Sequence, residues 1–173
     1  ETVNLEIFDV EEISVHGGSL RLFLKSSNNN KIMIDRNVEK LLKKEKENGL
    51  QKISTYMNFQ NNVENSKKRI QEFFIQTKKQ KKKVVCYGAA AKGNTVLNYC
   101  KISKDDIEYV VDISPHKQGK FMPGTHIPIY SPEKIKETKP DYIIILPWNL
   151  KDEIMQQINF IKNWGGKFVV LIP

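Results

Sequence analysis

The chain has 173 residues, 39% hydrophobic and 28% charged, which suits one compact domain with a modest extension and excludes a large multidomain machine. Its mean hydropathy is −0.49, and no apolar run nears the roughly 18 residues of a membrane-spanning helix, so no membrane partner is expected. The balance of 28 Lys+Arg against 20 Asp+Glu, a net charge of +8, favours anionic partners such as phosphates, nucleotides or nucleic acid without choosing among them.

The sequence begins at Glu1, with neither an initiator methionine nor a basic-then-apolar leader, and reads as trimmed at its start or as a piece of something longer. Residues 1–34 form a first zone. Leu20, Leu22 and Leu24 alternate with Arg21, Phe23 and Lys25 as in a half-buried strand, and Gly17-Gly18 supplies a turn. A hairpin is expected, with strands near 5–14 and 19–26. Two strands alone are marginal in water, so its apolar face is expected to complete a sheet made by other residues.

Residues 35–83 carry no strand signal and read as a helical linker. Val38, Leu41 and Leu42 mark a short helix, and Tyr56, Met57, Val63, Ile70, Phe73, Phe74 and Thr77 keep one face of a longer one. The run Lys78-Lys79-Gln80-Lys81-Lys82-Lys83 lacks interleaved aromatic residues. It reads as a solvated helix end, where cations oppose the dipole favourably, rather than as a nucleic-acid contact.

Residues 84–173 alternate strand and helix signals across short joints. Strands are expected at 84–89, 107–113, 141–147 and 167–172, and a helix at 92–101. Ser131-Pro132-Glu133 looks like a capped helix start. Ile143-Ile144-Ile145-Leu146 is too apolar for a one-faced strand. Asn149 is expected to cap a helix whose face is Leu150, Ile154, Ile158, Ile161 and Trp164, ended by Gly165-Gly166. This order predicts an α/β fold, a Rossmann-like three-layer parallel sheet preceded by the β-hairpin and the helical linker. Cys86 and Cys100 read as reduced thiols of a cytoplasmic protein.

The sharpest motif is Tyr87-Gly88-Ala89-Ala90-Ala91-Lys92-Gly93-Asn94-Thr95, after a strand and opening a helix. On the dinucleotide fingerprint Gly88 and Gly93 take the outer positions, while Ala90 stands where a Cβ hinders approach to a pyrophosphate. Asp112, at the end of the second strand, stands where an acid would hold a ribose hydroxyl. The glycines equally suit a tight strand-to-helix turn, and the helix start would still seat an anion. From Asp112 to His126 runs a donor-rich loop holding His116, Lys117 and Gln118, placed at the sheet edge where open α/β folds bind ligands. Trp148 and Asn149 end the third strand at that edge, where Trp148 could stack on a ring or merely pack. His116 and His126 lack the further ligands of a metal site, and none is expected. His16, with Gly17-Gly18, Ser19, Leu20 and Arg21, lacks the partners of a hydrolytic triad.

These blocks, together with Pro123-Gly124-Thr125-His126-Ile127-Pro128 and Leu146-Pro147-Trp148-Asn149-Leu150, closely resemble successive motifs in the C-terminal part of the sugar C-methyltransferase family. The similarity runs from about Leu5 to Pro173. It implies a longer enzyme, with a cysteine-rich zinc segment and an S-adenosylmethionine-binding domain preceding a Rossmann-like C-terminal part, and a nucleotide-linked, typically dTDP, keto-deoxysugar as substrate. It implies that the 5–26 hairpin is the tail of the missing N-terminal methyltransferase domain, and that zinc, methyl donor and base lie outside this chain. Residues implied to bind substrate are Tyr87, Gly88, Ala91, Lys92, Gly93, Asn94, Asp112, His116, Lys117, Gln118, His126, Trp148 and Asn149. His16, Ser19 and Arg21 are cleft-facing candidates. No catalytic residue is assigned, and the fragment alone is expected to be inactive. Two other readings stand beside this one: an NAD(P)-binding domain of an oxidoreductase, and a basic nucleic-acid interaction module.

Overall fold

The computed structural model describes residues 3–172, so the outermost residues of the first and last zones, 1, 2 and 173, lie outside it. The chain divides into two compact units, with the boundary between Asn62 and Val63. The boundary falls inside the expected 35–83 helical linker, whose first part belongs with the hairpin and whose last part belongs with the sheet.

In the first unit β1 (Leu5–Ile13) pairs antiparallel with β2 (Ser19–Ser26), as the leucine alternation requires, through a 3-10 turn at Val15–Gly17. A register shift between Ile7 and Asp9 accommodates the Phe8–Phe23 ring pair, 6.1 Å between centroids. Among the described residues the hairpin joins no larger sheet. Ile7, Leu20, Leu22 and Leu24 remain exposed; cross-strand register puts Ile7 opposite Leu24 on the same face. Helix α1 (Arg36–Glu47) starts at Asp35, whose carboxylate accepts from the Asn37 amide at 2.9 Å. Only Val38 and Leu41 of its expected face are partly buried, and Leu42 is exposed.

Helix α2 (Ile53–Lys79) crosses the unit boundary. Its buried stripe is Ile70, Phe74 and Thr77, with Phe73 packed beside them. Tyr56 and Met57, expected on that face, are exposed and belong to the first unit.

The second unit is built on β3 (Val84–Tyr87), β4 (Val110–Val111), β5 (Ile129–Tyr130), β6 (Tyr142–Ile145) and β7 (Lys167–Val169). They form one five-stranded sheet in the order β5-β4-β3-β6-β7, with every named pair parallel. One face carries Cys86, Val110 and Ile144 against Ile70 and Phe74 of α2 and Leu97 of α3 (Ala91–Tyr99). The other carries Val85, Val111, Ile143 and Ile145 against Ile135 of α4 (Lys134–Thr138) and Ile154 of α5 (Lys151–Gln157). The result is the three-layer α/β arrangement that the isoleucine run of β6 demanded: alternate side chains enter opposite cores.

Several elements differ from their sequence expectation. Strand β5 was not foreseen, and the strand expected at 107–113 is reduced to Val110–Val111. Asn149 caps no helix: Trp148–Leu150 is a 3-10 turn, α5 follows without a side-chain cap, and residues Asn159–Trp164 continue as 3-10 helix. Ser131 is no α-helical cap either, since α4 begins three residues later and the Ser131 carbonyl accepts from the Lys134 amide at 3.2 Å. The last strand stops at Val169 instead of Ile172.

Candidate functional site

Strand β3 delivers the chain to the carboxyl edge of the sheet at Tyr87. Gly88 then takes φ +85°, and an ideal Cβ there would lie 2.6 Å from Pro147 Cδ, so both conformation and space require glycine. Gly93, in the first turn of α3, lets that helix touch the strand end: a Cβ would sit 2.5 Å from Leu146 Cβ. The first intrahelical bond runs from the Asn94 amide to the Ala90 carbonyl at 2.9 Å. The amides of Ala91, Lys92 and Gly93 therefore belong to the helix's unsatisfied first turn, the positive end of its dipole.

A cavity of about 470 Å³ opens beside this turn, lined by Ala89, Ala90, Ala91, Asn94, Thr95, Lys117, Lys120, Phe121, Met122, Pro123 and Ile129. Its size and mixed lining suit a small organic ligand. The 112–126 loop supplies its outer wall; Gly119 N–H donates to Ile129 O of β5 at 2.9 Å and pins the loop to the sheet, while Met122 N–H donates to Ile127 O at 2.8 Å and closes the loop's end. Of the residues singled out from sequence, Ala91, Asn94 and Lys117 line this cavity. Lys120, Phe121, Pro123 and Thr95 also line it without having been singled out; the exposed aromatic Phe121 amid loop donors was the signal available.

The remaining predicted residues do not line this cavity. Tyr87 is buried in the layer under α5, and its hydroxyl donates to Gln157 Oε1 at 3.2 Å. Burial is the first cause that raises its pKa. Gln118 donates to the Asp112 carbonyl at 2.9 Å, bracing the loop from within. His116 and His126 are exposed, the latter in a left-handed conformation at φ 56°. Lys92, Trp148 and Asn149 gather on the β6 side of the turn: the Lys92 ammonium donates to Asn149 Oδ1 and lies 4.7 Å from the Trp148 ring centroid. In the first unit His16 is exposed at φ 58°, Ser19 Oγ donates to Val15 O at 2.9 Å, and Arg21 pairs with Glu11 at 3.0 Å.

Asp112 departs most from its expected role as a ribose ligand. One carboxylate oxygen accepts from the Ser114 amide at 2.8 Å, and the other from the Ala89 amide at 2.7 Å and from Lys117 Nζ at 2.9 Å. Burial raises its pKa, but these donors outweigh burial and hold the carboxyl below the usual carboxylate value. Among the described residues, no three His, Cys, Asp or Glu side chains converge as a metal site. No helix among them is long and apolar enough to cross a membrane.

A chain with this sheet and this glycine turn matches the family of C-methyltransferase C-terminal domains over residues 14–173. It is 34% identical, over its whole length, to C-methyltransferase NovU of Streptomyces niveus, of which it spans 41%. A match that begins inside the hairpin turn and takes in every strand of the sheet shows that the chain belongs to the C-methyltransferase C-terminal domain family.

Proposed function

We propose that this chain is the substrate-holding C-terminal part of a C-methyltransferase that uses S-adenosylmethionine and acts on a nucleotide-linked keto-deoxysugar of the dTDP type. The observation that carries the reading is the cavity beside the glycine turn. It combines the amide-rich start of α3, two lysines (Lys117 and Lys120) and one exposed aromatic ring (Phe121). A nucleoside diphosphate asks for this set: amides and ammonium groups for phosphate oxygens, and a ring face for the base.

Methylation at carbon next to a ketone removes an α-proton, and the enolate carbon so formed takes a methyl group from a donor. It needs a base of near-neutral pKa and polarisation of the ketone oxygen. S-adenosylmethionine supplies that methyl group when bound. The cradle described here does not fit it, because the carboxylate that would hold ribose hydroxyls is engaged by Ala89, Ser114 and Lys117. Zinc finds no ligand cluster among the described residues. In this reading methyl donor, zinc and base belong to the remainder of the longer enzyme, the partner domain of this chain, and the chain alone is inactive. Its own part is to bind the nucleotide and close the site over the sugar. The two buried free thiols, Cys86 and Cys100, fit a reducing cytoplasm. The same engagement of Asp112 weakens the oxidoreductase reading, and Lys82 of the lysine run is paired with Asp141 at 2.9 Å.

Calorimetry of the chain with dTDP, NAD and a duplex oligonucleotide tests the assignment. The expected result is binding of dTDP alone, weakened about tenfold by Lys120→Met and by Phe121→Ala, as loss of a charge-assisted bond or a stacked ring implies. Absence of dTDP binding, or unaltered binding by both variants, would overturn it.

A further inference from the structure

Asp112 stands where a ribose-binding acid stands in a dinucleotide fold, yet it is turned inward. Of the roughly four acceptor positions of a carboxylate, three are filled by the chain's own donors: the Ser114 amide, the Ala89 amide and Lys117 Nζ. The Asp112 side chain is 8% exposed, whereas that of Lys117 is 45% exposed. Lys117 Nζ also donates to the Ala89 carbonyl at 3.0 Å. The ammonium therefore bridges loop and glycine turn and covers the carboxylate from the cavity side. The cavity lining agrees, since it includes Lys117 and Ala89 and omits Asp112.

Resting on the nucleotide reading above, we infer that Asp112 is a positioning residue, which ties the 112–117 loop to the glycine turn through Ala89, Ser114 and Lys117. With Lys117 as its cover, Asp112 offers no free carboxylate oxygen to a ribose 2′-hydroxyl, and the pocket does not distinguish a 2′-deoxynucleotide from its ribo counterpart. The selectivity is set by Lys117, which removes an acceptor that the strand end would otherwise offer.

Two measurements test this. The first needs no ligand. Asparagine at 112 keeps only one acceptor oxygen, so Asp112→Asn must release either the Ser114 amide or the Ala89 and Lys117 pair. Amide exchange of Ala89 or Ser114, read by NMR in the folded chain, is expected to accelerate about tenfold or more; unchanged exchange at both overturns the brace. The second compares dTDP with ribothymidine 5′-diphosphate by calorimetry. The wild-type chain is expected to bind the two within about threefold, and Lys117→Met, which bares an Asp112 oxygen, to shift the ratio about tenfold toward the ribonucleotide. The ratio is the readout because the variant also loses a phosphate contact common to both ligands. A clear wild-type preference for the ribonucleotide, or an unmoved ratio in the variant, refutes the selectivity while leaving the nucleotide site intact. Binding of neither nucleotide refutes the site assignment and the selectivity built on it, while the exchange experiment still decides the brace.

Discussion

Gly93→Ala separates two roles for the glycine turn by the sign of its effect. In an ordinary helix position the change stabilises by about 1 kcal/mol, because alanine is the better helix former. At Gly93 the new methyl meets Leu146 Cβ at 2.5 Å, Cγ at 3.0 Å and Cδ2 at 3.1 Å. The closest of these is fixed to the backbone just beyond β6 and cannot rotate away, so α3 or the strand end must move by about 1 Å. Overpacking of this kind costs about 1–3 kcal/mol. With the immovable Cβ placing it near the upper end, the net loss is about 2 kcal/mol once helix propensity is credited. That corresponds to a fall of about 4–8 °C in the melting temperature for a protein of this size. Both tryptophans, Trp148 and Trp164, lie in the second unit, so their fluorescence during urea unfolding reports on it directly. Adding Leu146→Ala should recover little, because the β-carbon remains. A Gly93→Ala chain as stable as the wild type, or more stable, would show that the helix and strand are not in the close contact described.

The depressed carboxyl of Asp112 stabilises the fold at pH values above its unfolded pKa near 4, and that contribution disappears as pH falls through the lower folded value. Unfolding free energy measured from pH 6 to pH 2 should therefore fall more steeply in the wild type than in Asp112→Asn, and parallel curves would contradict the bonding described. Burial raises the pKa of both Cys86 and Cys100, so a thiol-reactive dye at neutral pH should label neither until urea unfolds the chain, whereas rapid native labelling would contradict their burial. Lys92→Met removes one exposed ion–ring contact and one hydrogen bond and should cost no more than about 1 kcal/mol in the same urea assay; a larger loss would give Lys92 a structural role. If the β6 side of the turn is filled, the nicotinamide half of NAD gains nothing, and NAD should bind no more tightly than ADP; a tenfold advantage in calorimetry would mean that the crevice is open.

The sheet was legible where burial is two-sided or punctuation is strong. The isoleucines of β6 announce a strand covered on both faces, and Gly88 and Gly93 announce a turn into a close-packed helix. Strand β5 was not legible, because Ile129–Tyr130 is a two-residue edge strand that shows no periodicity between Pro128 and Pro132. Asn149 carried a cap signal, but the same side-chain oxygen meets the Lys92 ammonium, a charge-assisted bond against which a neutral cap competes poorly. Tyr56 and Met57 keep helical spacing with Val63 and Ile70, yet spacing cannot say which turns of a 27-residue helix meet a sheet. The site was readable as a region and not as a set of contacts. Position alone gives the glycine turn and the loop after β4, whereas the inward turn of Asp112 depends on where Ala89, Ser114 and Lys117 converge in space.

The strand order predicts a crevice on one side of β3, and the cavity lies on the other. Chain order through β3, β4 and β5 runs to one edge of the sheet and then returns to β6 on the opposite side of β3, so the topological switch point lies between β3 and β6. Open α/β sheets place their ligand crevice there. In this chain Pro147 packs on Gly88, Leu146 lies against Gly93, and Lys92 meets Trp148 and Asn149. These contacts occupy the β6 side, leaving space on the β4 and β5 side, where Ala91 and Asn94 face Lys117 and Phe121. An extended dinucleotide needs both sides of the turn and close approach at its middle position, where Ala90 carries a Cβ. A mononucleotide diphosphate needs only one side and the helix start. The same turn can therefore keep the outer glycines of a dinucleotide fold while admitting a smaller anion, because those glycines serve conformation at Gly88 and helix–strand packing at Gly93, and the ligand is chosen by what surrounds them.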